Sequence, residues 1–175
     1  MCQSKQLSCR AGFETVCAHN PYVARKTLRT VFDWVLKNKK LLASLGTFQK
    51  IYNHIHKRWG KGNKEGVVGI GRLTKYDLSM IICNEFEISL NGRVYLMGRG
   101  PRRAAVLLWI WSSGWGKKKK CKETGEFYIM VDDVREAFEK SKYLYDKKTV
   151  ENGTADDLES YMCNWQKRIK LTQAI

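Results

Sequence analysis

A chain of 175 residues with 43% apolar side chains can bury one substantial core, and its 32 Lys and Arg against 17 Asp and Glu leave a formal charge of +15. No run reaches the roughly 18 uncharged apolar residues that cross a bilayer, and Met1-Cys2-Gln3-Ser4-Lys5-Gln6 lacks the apolar stretch of a secretory leader. The expectation is a cytoplasmic protein with no membrane span, a single helical domain over residues 1–175, drawn to polyanions by its field.

Residues 1–12 carry no clear period and read as a loose lead-in. The six cysteines, at positions 2, 9, 17, 83, 121 and 163, have no C-x-x-C spacing and accompany only three histidines. They read as reduced thiols rather than a disulfide framework, and neither a metal site nor a cofactor is expected; Cys9, Cys17 and His19 are the sole loose grouping. Asn20-Pro21 offers a helix start, and Val23, Leu28, Val31, Phe32, Val35 and Leu36 follow at helical spacing, predicting a helix over Pro21 to Leu45 with a break near Asn38 and an end at Gly46. Thr47 caps a second helix whose apolar face is Phe48, Ile51, Tyr52, Ile55 and Trp59.

From Lys57 to Lys122 the chain has fifteen basic residues against four acidic ones, whereas eleven of the seventeen acids fall from Glu123 onward. The basic connection Gly60 to Gly66 leads to a glycine turn, Val68-Gly69-Ile70-Gly71-Arg72-Leu73-Thr74, and then to an apolar run, Tyr76 to Ile82, that reads as a mostly buried helix. Asn91-Gly92 predicts a short strand pair within 88–96, with a turn between helices as the alternative. Gly98-Arg99-Gly100-Pro101 opens a helix from Arg102 to about Trp111, and Ser112 to Lys122 reads as a loop. Asp132 or Asp133 caps a helix carrying Val134, Ala137, Phe138 and Leu144, and Thr154, with Asp157 three positions on, caps a last one carrying Leu158, Tyr161, Met162, Trp165 and Ile169. The fold class is mostly all-α, a compact bundle of six or seven helices.

A Gly-apolar-Gly turn at a helix start lets backbone amides point outward together, and glycine tolerates both a positive dihedral and the close approach of a phosphodiester. The candidate nucleic-acid contacts are Gly69, Ile70 as the anchor, Gly71, Arg72, Thr74 and Lys75. Arg99, Arg102 and Arg103 at the second basic turn add forked donors, and Lys117, Lys118 and Lys119 add charge along a backbone groove. Trp109-Ile110-Trp111 reads as core, and Trp115, in the loop beside the lysines, is the better base-stacking candidate.

Val67-Val68-Gly69-Ile70-Gly71-Arg72-Leu73-Thr74 resembles the helix-hairpin-helix motif of DNA glycosylases, ligases, nucleases and repair scaffolds, over about residues 48–86. That resemblance implies sequence-independent grip on duplex DNA through the amides of Gly69 and Gly71, with charge from Arg72 and Lys75. Two departures are the Lys75 that stands where the motif has a small residue, and the linker with Gly62 and Gly66 before the hairpin. The position of the glycosylase aspartate falls on Asn91, that of the Schiff-base lysine falls on Leu73, and no aspartate occurs between Asp77 and Asp132. The expected function is therefore nucleic-acid binding, duplex DNA favoured and RNA open. One alternative is a divergent glycosylase or nuclease of DNA repair or defence using Asp77, Glu85, Glu87 or His56. Another is a small basic inhibitor that occupies an acidic protein partner.

Overall fold

The computed structural model describes residues 11–18, 20–59, 70–111 and 118–172, with side chains as far as Ile169. The described chain is mostly α-helical with one small antiparallel sheet, as the sequence predicts. In chain order the elements are α1 (residues 11–18), α2 (Arg25–Lys37), α3 (Lys39–Ser44), α4 (Phe48–Trp59), α5 (Arg72–Glu85), β1 (Arg93–Tyr95), α6 (Arg99–Leu107), β2 (Lys119–Lys120), β3 (Phe127–Met130), α7 (Val131–Glu139), α8 (Lys147–Asn152) and α9 (Ala155–Thr172). The chain divides into two compact units, Met1–Ser89 and Leu90–Ile175. No helix among the described residues is long and apolar enough to cross a membrane.

In the first unit, α2 buries Leu28, Val31, Phe32 and Val35, one stripe at helical spacing, and α4 buries the predicted face of Phe48, Ile51, Tyr52, Ile55 and Trp59. The break at Asn38 is present, its side-chain amide donating to Trp34 O at 2.8 Å, and Gly46 ends α3 at φ +72. Thr47 caps α4 by accepting from the Lys50 amide at 3.3 Å. The predicted start of α2 is corrected: it begins at Arg25 behind Ala24. Asn20 serves elsewhere, its side-chain amide closing the end of α1 on Val16 O at 2.8 Å and its side-chain carbonyl accepting from the Thr74 hydroxyl. Helix α1 places Phe13 against Phe32, ring centroids 5.3 Å apart, with the Arg29 guanidinium 3.6 Å from the Phe13 centroid. The lead-in expected over residues 1–12 is shortened at its end, since Ala11 and Gly12 begin α1; its first ten residues lie outside the described ones.

In the second unit Asn91 and Gly92 do form a turn, both at positive φ (+52 and +64), with Arg93 N donating to Leu90 O at 3.1 Å. Only its outgoing arm is a strand. The incoming residues close α5 instead, through Ile88 N to Cys83 O at 2.8 Å across a left-handed Glu87. The expected strand pair within 88–96 therefore gives way to a sheet of order β1-β3-β2, with Val94 opposite Ile129 and Lys120 opposite Phe127. Helix α6 starts earlier and ends earlier than expected, stopping before a left-handed Trp109. Asp132 and Asp133 stand in the first turn of α7 rather than at its cap, and Leu144, 94% exposed, lies beyond its end. The Thr154–Asp157 box at α9 is reciprocal, at 2.9 and 3.3 Å. Phe138 sits among Tyr145, Tyr161 and Trp165, the last centroid 4.9 Å away. The short helices α1 and α8 carry too few turns to show a period, which accounts for their omission from the expected six or seven.

Helices α6 and α9 meet where Gly100 faces Cys163: a β-carbon at position 100 would run into Cys163 Sγ and stand 3.2 Å from its Cα. Burial, with Glu159 nearby, pushes the Cys163 thiol upward. Gly100→Ala should lower the unfolding free energy by about 1–3 kcal/mol through overpacking, with partial recovery in Gly100→Ala/Cys163→Ala, as read by urea denaturation. At α8, Asp146 accepts from Thr149 N at 3.3 Å and Thr149 Oγ1 at 2.7 Å, and these bonds hold its carboxyl below the usual range. Its stabilising effect is thus complete above about pH 4 and lost as pH falls through the depressed folded value. Hydrogen exchange should show α8 amides losing protection in Asp146→Ala at neutral pH.

Candidate nucleic-acid interface

Gly71 is the N-cap of α5, in extended backbone at φ −81 and ψ −176, and Arg72 is the first helical residue. The cap brings no side-chain acceptor to this end and no acid stands in the first turn. A β-carbon at Gly71 would meet nothing within 4 Å among the described residues. The expected positive dihedral is absent, so neither the backbone conformation nor any described residue demands glycine at position 71. Gly69, with Val67 and Val68, lies outside the described residues, while Ile70 is buried as the expected anchor.

Two residues expected at a phosphate face inward. Thr74 is fully buried and gives its hydroxyl to Asn20. Lys75 is 6% exposed, its Nζ 2.5 Å from His56 Nδ1 and 5.5 Å from the Tyr52 centroid. So short a contact suits a neutral imidazole nitrogen accepting from the ammonium. The physical reason is that α5 is buried through Thr74 to Met80 without interruption, from two residues before the start of its apolar run.

The start of α6 repeats the arrangement at α5. Gly98 is the N-cap, extended at φ −96 and ψ 177, with no side-chain cap and no first-turn acid. A β-carbon there would make an ordinary 3.6 Å contact with Pro101. Arg99 and Arg103 are exposed; Arg102 is half-buried, its Nε donating to Leu96 O at 2.9 Å and its guanidinium 5.8 Å from the Trp111 centroid. Arg102 thus braces the helix start on the chain leaving β1. Lys118, Lys119 and Lys120 are exposed at and before β2, with Lys118 Nζ 4.4 Å from the Trp111 centroid; Lys117 and Trp115 lie outside the described residues. Beyond β2, the buried Cys121 thiol donates to Glu123 at 3.0 Å, which holds that carboxyl below its ordinary range.

The candidate catalytic groups take separate duties. Asp77, 7% exposed, accepts from Asn20 Nδ2 at 3.4 Å; Glu85 accepts from Lys39 Nζ at 2.5 Å; Glu87 is exposed at the left-handed exit of α5; His56 holds the buried Lys75. His54 stacks on Trp34 with centroids 6.3 Å apart, and the Arg58 guanidinium lies 4.6 Å from the same Trp34 ring. No three His, Cys, Asp or Glu among the described residues are placed to hold a metal ion. Sequence reasoning misses Asn20 as a bridge between α1 and α5, and Trp109, which is 73% exposed rather than core. The run Leu107-Leu108-Trp109-Ile110-Trp111 gives no sign that the helix stops inside it.

No family model, curated protein or solved structure matches the chain. The glycine caps have a direct test. Gly71→Asp supplies an acceptor for the leading amides of α5, together with a negative charge beside Arg72, so the free protein should gain about 0.3–1 kcal/mol in urea denaturation.

Proposed function

We propose that the chain binds the phosphate backbone of nucleic acid, duplex DNA favoured, through the starts of α5 and α6. One repeated observation carries this reading: at both helices a glycine N-cap, for which neither the backbone conformation nor any described residue requires glycine, precedes an arginine at the first helical position. A cation at the positive end of a helix dipole costs about 0.3–1 kcal/mol, and a glycine cap brings the first amides no side-chain acceptor of its own. A phosphate oxygen accepting from those amides, with an arginine fork beside it, reverses the sign of the first term and fills the second need. The resemblance of Val67 to Thr74 to a helix-hairpin-helix supports the same use of α5, and Lys118 to Lys120 add to the field.

Neither Thr74 nor Lys75 enters this reading, since both are buried against other side chains. The contacts assigned to DNA are the amides behind Gly71 and Gly98 together with Arg72, Arg99 and Arg103. Such contacts hold the backbone without reading bases.

Anisotropy titration of a labelled duplex at several salt concentrations checks this. Arg72→Glu/Arg99→Glu/Arg103→Glu should bind more weakly at low salt, and the slope of log K against log salt should fall by about 0.9 for each phosphate that is no longer engaged. Gly71→Asp should weaken binding although it stabilises the fold. Equal affinity and slope in a folded triple variant would refute the assignment.

A further inference from the structure

Trp109 occupies a position where helices ordinarily use glycine. Its φ is +61, in the left-handed region, and Ile110 N closes the end of α6 on Ala105 O at 3.0 Å across it. The residue is nevertheless 73% exposed, so packing in the core does not account for a bulky side chain in that conformation. It borders a concave cavity of about 460 Å³. Leu108 and Ile110 form apolar lining, Tyr143 supplies a second aromatic, and Asp133 and Glu136 of α7 contribute carboxylates. Lysine enters the lining at Lys140, which donates to Glu136 Oε1 at 2.5 Å, and at Lys142. That volume and that mixture of apolar surface with a few polar groups suit a small planar ligand.

The chemistry narrows the ligand further. A flat aromatic face offers stacking, and carboxylates, each able to accept several hydrogen bonds, take N–H donors while repelling an anion placed among them. Lys140 and Lys142, in the same lining, supply positive charge for an anionic group carried by such a ligand. Trp111, two residues along, carries Lys118 Nζ over its ring at 4.4 Å, so the basic approach to β2 belongs to the same unit as the cavity. A nucleotide within a strand has the complementary parts: a planar base, an N–H edge and a phosphate. A base in a duplex has its faces covered by neighbours, so the occupant is unpaired.

We infer that this cavity receives one unpaired nucleobase of a single strand, stacked on Trp109 with its N–H edge toward Asp133 and Glu136. The inference rests on the nucleic-acid reading of the basic helix starts and adds to it a site for bases. Trp109 adds affinity wherever a base stands unpaired beside a backbone that the helix starts hold, and the left-handed backbone is retained for its ring.

The experiment compares a labelled single strand, an abasic strand of equal length and a duplex against wild type, Trp109→Ala and Trp109→Phe. Trp109→Ala should weaken the single strand by about five- to a hundredfold, the effect of losing one stacked base. Trp109→Phe should keep most of that affinity, and abasic strand and duplex should bind all three proteins alike. Trp109→Gly should bind the single strand as poorly as the alanine variant while melting about 2–4 °C higher, because the left-handed strain is gone. Single-strand affinity unchanged in Trp109→Ala, or reduced equally on all three ligands, overturns this site; duplex binding by the wild type then leaves the backbone-binding reading in place. Wild type that binds none of the three ligands overturns both.

Discussion

Short helices make their ends the governing constraint of this molecule. Every helix leaves amides without an intrahelical partner at one end and carbonyls at the other, and helices of six to eighteen residues have little interior over which to dilute that cost. The chain answers it differently at different places. Asp146 and the Thr154–Asp157 pair supply side-chain acceptors at α8 and α9, and the acids of α7 sit in its first turn. Asn38 separates α2 from α3, and Gly46 stops α3 in the left-handed region. At α5 and α6 the cap residue answers with no side chain at all, and arginine is set beside the leading amides. Helix α2 also starts without a side-chain cap, with Arg25 behind Ala24, so what sets α5 and α6 apart is the glycine cap joined to the leading arginine.

The interior of the first unit is held by polar groups as well as apolar ones. Helix α5 is buried so extensively that Thr74, Lys75, Asp77 and Ser79 all lie inside. Asn20 takes Thr74 and Asp77, His56 takes Lys75, and Ser79 turns back to the Lys75 carbonyl at 2.7 Å. Buried polar groups without partners cost far more than paired ones gain, so these bonds fix the rotation of α5 about its axis. Arg72 shares a face with Lys75 but stands one turn earlier, at the first helical position, and is exposed because burial of α5 begins only at Thr74.

Much of the architecture is legible in the sequence because it depends on local chemistry. The α4 face, the break at Asn38, the Gly46 stop and the Thr154 box each follow from residues within a few positions of one another. What the sequence conceals depends on residues distant along the chain. Asn20 reads as a helix cap until Thr74 and Asp77 are brought to it, and Asn91-Gly92 reads as a hairpin until α5 claims the incoming arm and β3 the outgoing one. At the candidate site the pattern picks out the glycines and arginines, but conformational freedom is not what places the glycines: Gly71 has a negative φ, and Gly100 serves close packing against Cys163. The inward turn of Lys75 and the exposure of Trp109 emerge only from the packed helices.

The pairing of β1 with β3 has a consequence for how the second unit assembles. Between these strands in the sequence lie α6 and β2, so β1 cannot complete its ladder until Met130 is available. During synthesis α6 can close its own hydrogen bonds while α9, which packs on it, is still to come. Loop closure across that interval makes the sheet a late event, and the apolar Val94-Tyr95-Leu96 segment, fully buried in the finished unit, is exposed until then. The order of translation therefore places the helix with the arginine-led start ahead of α9, the helix against which it comes to rest.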